Sequence, residues 1–163
     1  MPGDKTLKDL LCLLVDSQIP LVVVGGYAAR MHGTSLLTDD IDLCIPLTPE
    51  TITGLRALLA PFHPVHRMSP KDLPFSEYPK ELSSIKNLYI RTDLGIIDFL
   101  GEVGGVGNYD RVLQNAAEVL IFGRKCRVIS IDDLITAKLF MKRAHDLETV
   151  KQLEWIKANL GLK

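Results

Sequence analysis

The chain has 163 residues, 47% of them hydrophobic, and its 19 Lys and Arg nearly balance 20 Asp and Glu for a formal net charge of −1. That length predicts one domain spanning residues 1–163, large enough to remove about two thirds of its unfolded surface from water. Balanced charge excludes a protein that coats nucleic acid through bulk basicity, so any phosphate it handles must be held by local groups.

The first helix is predicted over residues 7–17, where Leu7, Leu10, Leu11 and Leu14 repeat at helical spacing and Thr6 with Asp9 resembles a capping box. Its apolar run and the next, 10–15 and 19–24, are each too short to span a bilayer. The N-terminal residues carry an acid and no cleavage-site pattern, so neither a signal peptide nor a membrane span is expected. Residues 21–24 read as a buried strand, closed by Gly25 and Gly26, with a short helix over 27–32 beginning at those glycines.

A second strand is predicted over 40–45, ended by Pro46, and Thr48 as cap with Pro49 at the first helical position opens another helix. Five of the nine prolines then fall between Pro61 and Pro79, so residues 61–86 are expected to be an irregular insertion. Residues 87–92 and 96–100 flank Asp93, Leu94 and Gly95 as a hairpin. The glycine-rich run 101–107 reads as a flexible connection and lid hinge, followed by a helix over 109–117 and a hairpin over 119–129 turning at Gly123 and Arg124. Ser130 with Asp133 caps a helix over 131–142, and a last helix runs over 146–160. The fold class expected is α+β, a mixed central sheet flanked by helices and completed by a C-terminal helix pair at 131–160.

Three cysteines, Cys12, Cys44 and Cys126, are odd in number and form no CxxC pair, which suits reduced core thiols of a cytoplasmic protein. His63 and His66 stand three apart in the proline-rich segment, but without neighbouring Cys or carboxylates they read as ordinary polar residues.

Chemistry is concentrated on carboxylates. Asp40 and Asp42 sit two apart on a strand, so both leave the same face with Cα atoms roughly 6.6 Å apart. Such a pair can share Mg²⁺, a hard cation that keeps several positions for water or substrate phosphate. Asp98, in the second strand of the central hairpin, would be costly against the core without a partner. Brought beside the other two it permits a two-metal site, able to clamp the attacking and leaving oxygens of an in-line phosphoryl displacement. Gly25 and Gly26 let backbone N–H groups approach and hold phosphate at a helix start.

The run from Gly25-Gly26 through His32-Gly33 to Thr38-Asp39-Asp40-Ile41-Asp42 resembles the signature of the DNA polymerase β-like nucleotidyltransferase superfamily. The branch it resembles includes minimal nucleotidyltransferases and abortive-infection toxins. The segment from Asn87 to Gly101 is similar to that branch's third-carboxylate hairpin, and the segment from Ile129 through Lys138, Arg143 and Asp146 to its C-terminal helix pair. The resemblance implies that Asp40, Asp42 and Asp98 bind metal, with Asp98 also the candidate base. It implies that Gly25, Gly26, His32, Thr38, Lys138, Arg143 and Asp146 serve nucleotide and phosphate. The cofactor implied is Mg²⁺, as one or two ions for which Mn²⁺ can substitute. The activity implied is transfer of a nucleoside monophosphate from a nucleoside triphosphate to a hydroxyl acceptor, which could be a small molecule, a protein or an RNA end, with release of pyrophosphate.

Two departures stand out. Leu36 occupies a position where relatives commonly have arginine, and Lys142-Arg143-Ala144-His145-Asp146 replaces a Gly-Arg-Pro-Lys-Asp pattern. They keep open the alternative of a non-catalytic nucleotide- or partner-binding module on the same fold, such as one component of a toxin–antitoxin pair.

Overall fold

The computed structural model describes residues 2–160, with side chains from Leu7 onward. Helix α1 (Pro2–Asp16) starts upstream of Thr6, so the expected capping pair falls inside it, and the side chain of Thr6 lies outside the described residues. Its leucines at 7, 10, 11 and 14 are all buried, the face that helical spacing assigned to the core. Strand β1 (Val22–Val24) leads directly into α2 (Gly25–His32), which Gly33 ends at a φ of 115° by donating its N–H to Arg30 O.

Strand β2 (Asp40–Cys44) buries Ile41 and Leu43 completely while Asp40 and Asp42 face the other way, the alternation a half-solvated strand requires. Thr48 caps α3 (Pro49–Leu59) by accepting from the Thr51 N–H at 3.2 Å. The hairpin of β4 (Asn87–Thr92) and β5 (Gly95–Leu100) closes as expected, its turn tightened by Thr92 Oγ1, which accepts from Leu94 N and Gly95 N.

The proline-rich segment is more ordered than the sequence suggested. It contains β3 (Val65–His66), antiparallel to β4, and a bridge from Val65 to Pro74. Phe75, fully buried, pins the segment between the His66 ring, edge-on at 5.7 Å, and the Arg56 guanidinium at 5.4 Å. The glycine-rich run is likewise not an open connection: it folds into β6 (Glu102–Val103) paired with β7 (Gly107–Asn108). Gly104 and Gly105 lie so close to Phe140 that an added Cβ would stand 2.6 and 2.9 Å from its atoms, which explains glycine there.

Helix α4 (Tyr109–Asn115) follows, then the hairpin of β8 (Ala117–Ile121) and β9 (Arg124–Val128). Its turn is Phe122 and Gly123, both at positive φ, one residue earlier than expected. Ser130 caps α5 (Ile131–Met141) as predicted, Lys142 ends it at a φ of 59°, and α6 (Ala144–Asn159) begins two residues before the expected start.

Seven strands form one mixed sheet in the order β3-β4-β5-β2-β1-β9-β8. β2 runs parallel to β5 and antiparallel to β1, and β1 runs parallel to β9. The fold is α+β, as the sequence predicted. Cys44 and Cys126 are buried and Cys12 half-buried, all three as free thiols. No helix among the described residues is long and apolar enough to cross a membrane.

Candidate active site

Sheet register assembles the acidic cluster. Asp42 is the direct neighbour of Asp98 across β2 and β5, and Asp40 lies two residues earlier on the same face. Each of the three offers a carboxylate oxygen within 4.8 Å of the others. Like charges this close oppose one another: burial first, then the charges of Asp40 and Asp98, push the Asp42 carboxyl up to about 7. Burial also raises Asp98, against the opposing pull of Arg67. Hard oxygen donors that converge while repelling one another are a donor set suited to a divalent cation, and the residues present fit one.

Thr38 orients Asp40, its Oγ1 lying 3.1 Å from the Asp40 carbonyl and 3.2 Å from Asp40 Oδ1 as a donor. Gly25, at a φ of 68°, packs directly over Asp42. A Cβ there would fall 2.2 Å from Asp42 Oδ2, so the first residues of α2 reach the acidic cluster only because position 25 is glycine. Gly26 lies against Thr38 less tightly, an added Cβ standing 3.1 Å from its Oγ1.

A cleft of about 850 Å³ opens over these groups and is lined by Gly25, Gly26, Thr38, Asp40, Asp42 and Asp98. The α5–α6 joint adds a further wall that includes Lys138, Arg143 and His145. Asp146 lies beneath that wall with no exposed surface, 3.5 Å from Lys138 Nζ and 2.6 Å from Arg143 Nε. Burial alone would raise its pKa, but the hydrogen bonds from Arg143 and the charge of Lys138 together hold the carboxyl below its ordinary value. Asp146 therefore fixes the two cations instead of facing a phosphate itself. It also accepts from the Arg143 backbone N–H, closing the first turn of α6.

His32 is placed otherwise. Its Nε2 donates to the Ile129 carbonyl at 2.7 Å, tying the end of α2 to the strand-to-helix junction before α5, and it is not among the residues lining the cleft. His63 and His66 diverge, the first bonding Asp93 and the second donating to Tyr78 O. Lys142 turns away at the C-cap of α5 and is exposed.

Two cleft residues were missed by the sequence reading. Arg67 grips Asp98 with both ends of its fork, Nε to Oδ1 at 3.1 Å and Nη2 to Oδ2 at 2.5 Å, and its guanidinium lies 5.3 Å from the centre of the Tyr89 ring. Tyr89 pairs with Asp98 across the hairpin, a register that follows from the turn at Asp93 and Leu94 and was available in the sequence. Arg67 had no such signal, because it sits in the proline-rich segment just past a two-residue strand.

No family model matches the chain, and no curated protein matches it. Solved structures do. The solution structure of the antibiotic-resistance factor ANT(2'')-Ia is 18% identical, with a TM-score of 0.57, covering 98% of this chain and 92% of the other. The crystal structure of ANT(2'')-Ia in complex with adenylyl-2''-tobramycin is also 18% identical, with a TM-score of 0.53 over 91% of this chain and 90% of the other. The crystal structure of the Megavirus polyadenylate synthase is 13% identical, with a TM-score of 0.57, covering 99% of this chain but 32% of that longer one. The chain thus has the fold of the DNA polymerase β-like nucleotidyltransferases.

Proposed function

We propose that the whole chain works as one nucleotidyltransferase-like domain that transfers a nucleoside monophosphate from a nucleoside triphosphate to a hydroxyl acceptor. The observation that carries this reading is the convergence of Asp40, Asp42 and Asp98 within 4.8 Å, directly under Gly25, in an open cleft. Asp40, Asp42 and Asp98 would hold Mg²⁺, for which Mn²⁺ can substitute. When bound, the ion supplies Lewis-acid stabilisation of charge on the phosphate oxygens.

The protein's own groups account for the rest. Backbone N–H groups at Gly25 and Gly26 receive the outer phosphates at the start of α2, where the helix dipole favours negative charge. Lys138 and Arg143, held by Asp146, face the same phosphates from α5 and α6. The acceptor oxygen bonds to the α-phosphorus as the bridging α–β oxygen departs with pyrophosphate, and the hydroxyl proton passes to the Asp98 carboxylate. Burial raises the affinity of Asp98 for that proton above that of an exposed carboxylate.

Nucleotide binding without turnover, as in one component of a toxin–antitoxin pair, has one observation on its side: Arg67 engages both oxygens of Asp98. Pyrophosphate release separates the two. The protein with Mg²⁺, the four nucleoside triphosphates and a broad hydroxyl panel is expected to release pyrophosphate, and Asp40→Asn or Asp98→Asn to lower the rate at least a thousandfold with an unchanged circular-dichroism spectrum. Parental rates in either variant would sink the mechanism.

A further inference from the structure

The site is linear. Val24 is in register with Asp42, Asp42 with Asp98, and Asp98 with Tyr89, while the Arg67 N–H donates to the Tyr89 carbonyl at 3.0 Å. One residue from each of five adjacent chain segments therefore forms a single row across the sheet, roughly 19 Å long at about 4.8 Å per strand. Gly25 lies at one end of this row, the acidic cluster in the middle, and the Tyr89–Arg67 pair at the other end.

An in-line displacement is linear too: the attacking oxygen, the phosphorus and the leaving oxygen share an axis. With the outer phosphates over Gly25 and Gly26 and the α-phosphate at the carboxylates, the acceptor is left the far end of the row. We infer that Tyr89 and Arg67 form the acceptor subsite and that Arg67 selects an acceptor carrying a phosphate group close to its reactive hydroxyl. This assignment rests on the nucleotidyltransferase reading above and adds the chemical class of the acceptor.

The reason lies in what Arg67 offers. A guanidinium has only donors, arranged in a fork that matches phosphate oxygens. The ring of Tyr89 and the carboxylate of Asp98 hold that fork at the cleft wall, with the Arg67 side chain 26% exposed and so able to meet a ligand. Its charge is now met first by Asp98, with Asp40 and Asp42 adding to it; were the three carboxylates to hold a cation, the Arg67 fork would be left for a second anion. A polycationic acceptor meets a fixed positive charge instead.

Binding titrations test this without requiring turnover. The full-length protein is first titrated with Mg²⁺ and each α,β-methylene nucleoside triphosphate; absence of any binding defeats the nucleotidyltransferase reading and, with it, this one. At saturating analogue, ribose 5-phosphate is then compared with ribose, and adenylyl-(3'→5')-adenosine with adenosine. The phosphate-bearing member of at least one pair is expected to bind at least tenfold more tightly and to shift the Arg67 Nε–H resonance. The stronger pair tells a sugar phosphate from a strand end. Arg67→Met should reduce the preference to below twofold, and Arg67→Lys, which keeps the charge without the fork, should retain part of it. Equal affinity within both pairs, a preference that survives Arg67→Met, an unmoved Arg67 resonance, or tighter binding of tobramycin than of every phosphate probe would each overturn the assignment. If Arg67→Met does not fold, the Lys variant and the resonance shift decide.

Discussion

Among single residues, Asp42 feels the conflict in the site most directly. Its carboxyl is raised from 3.8 to about 7 by burial and by the neighbouring Asp40 and Asp98 charges. A carboxyl raised in the folded state binds a proton there that the unfolded chain has already released, so folding is favoured by that group below about pH 4 and progressively less as pH rises through 7. Asp98, also raised chiefly by burial, adds to the same slope. Urea unfolding in a chelating buffer is therefore expected to show stability falling from pH 5 to pH 8, and millimolar Mg²⁺ should flatten that fall by supplying the missing positive charge. Asp42→Asn should remove much of the slope without any cation and stabilise the chelated protein at pH 8 by on the order of 2 kcal/mol, well below the full conversion at about 1.4 kcal/mol per unit because the site is open to solvent. A flat or rising profile for the chelated parent protein would contradict this account.

Elements differ in how they hold the site. The α5–α6 joint depends on one buried charge: Asp146, with no exposed surface, balances Lys138 and Arg143. Asp146→Ala leaves Lys138, itself only 12% exposed, without its partner, and should cost about 3–5 kcal/mol in urea unfolding. Since Asp146 is held below the ordinary carboxylate range, its contribution is present above about pH 4 and is lost as pH falls through its folded value, opposite in sign to Asp42. The proline-rich segment depends instead on an apolar anchor. Phe75→Ala should cost about 3–5 kcal/mol. It should also weaken the grip on Asp98, because Arg67 lies between β3 and this ring in the chain. The measurable result is a lowered urea midpoint together with a broadened Arg67 Nε–H resonance.

Across the whole molecule, the parts legible in the sequence are those specified locally. The Thr48 and Ser130 caps, the leucine spacing of α1, the alternation of β2 and the Thr92–Gly95 turn each name their own element. A two-residue spacing and a hairpin fix the strands of Asp40, Asp42 and Asp98, but it was the family resemblance that grouped them, since the parallel pairing of β2 with β5 joins distant parts of the chain. What placed Arg67 beside Asp98 is the pairing of β3 at the sheet edge, a contact between residues 31 apart that no local pattern encodes. His32 shows the reverse: its motif position suggested phosphate, while its partner is a carbonyl 97 residues away. A site gathered from β1, β2, β4, β5 and the α5–α6 joint couples ligand binding to the global fold. Anything that bridges the cleft and binds only the folded state stabilises all of it by mass action. Mg²⁺ with a non-hydrolysable nucleoside triphosphate at about one hundred times its Kd should add about 2.7 kcal/mol, or roughly 5–10 °C in Tm for a domain of this size. Either ligand alone should add less, because the triphosphate meets uncompensated carboxylates when the cation is missing. The Asp40→Asn variant should lose most of the joint shift in a thermal melt. An equal shift in that variant would place the nucleotide away from the acidic cluster and remove the main support for its role.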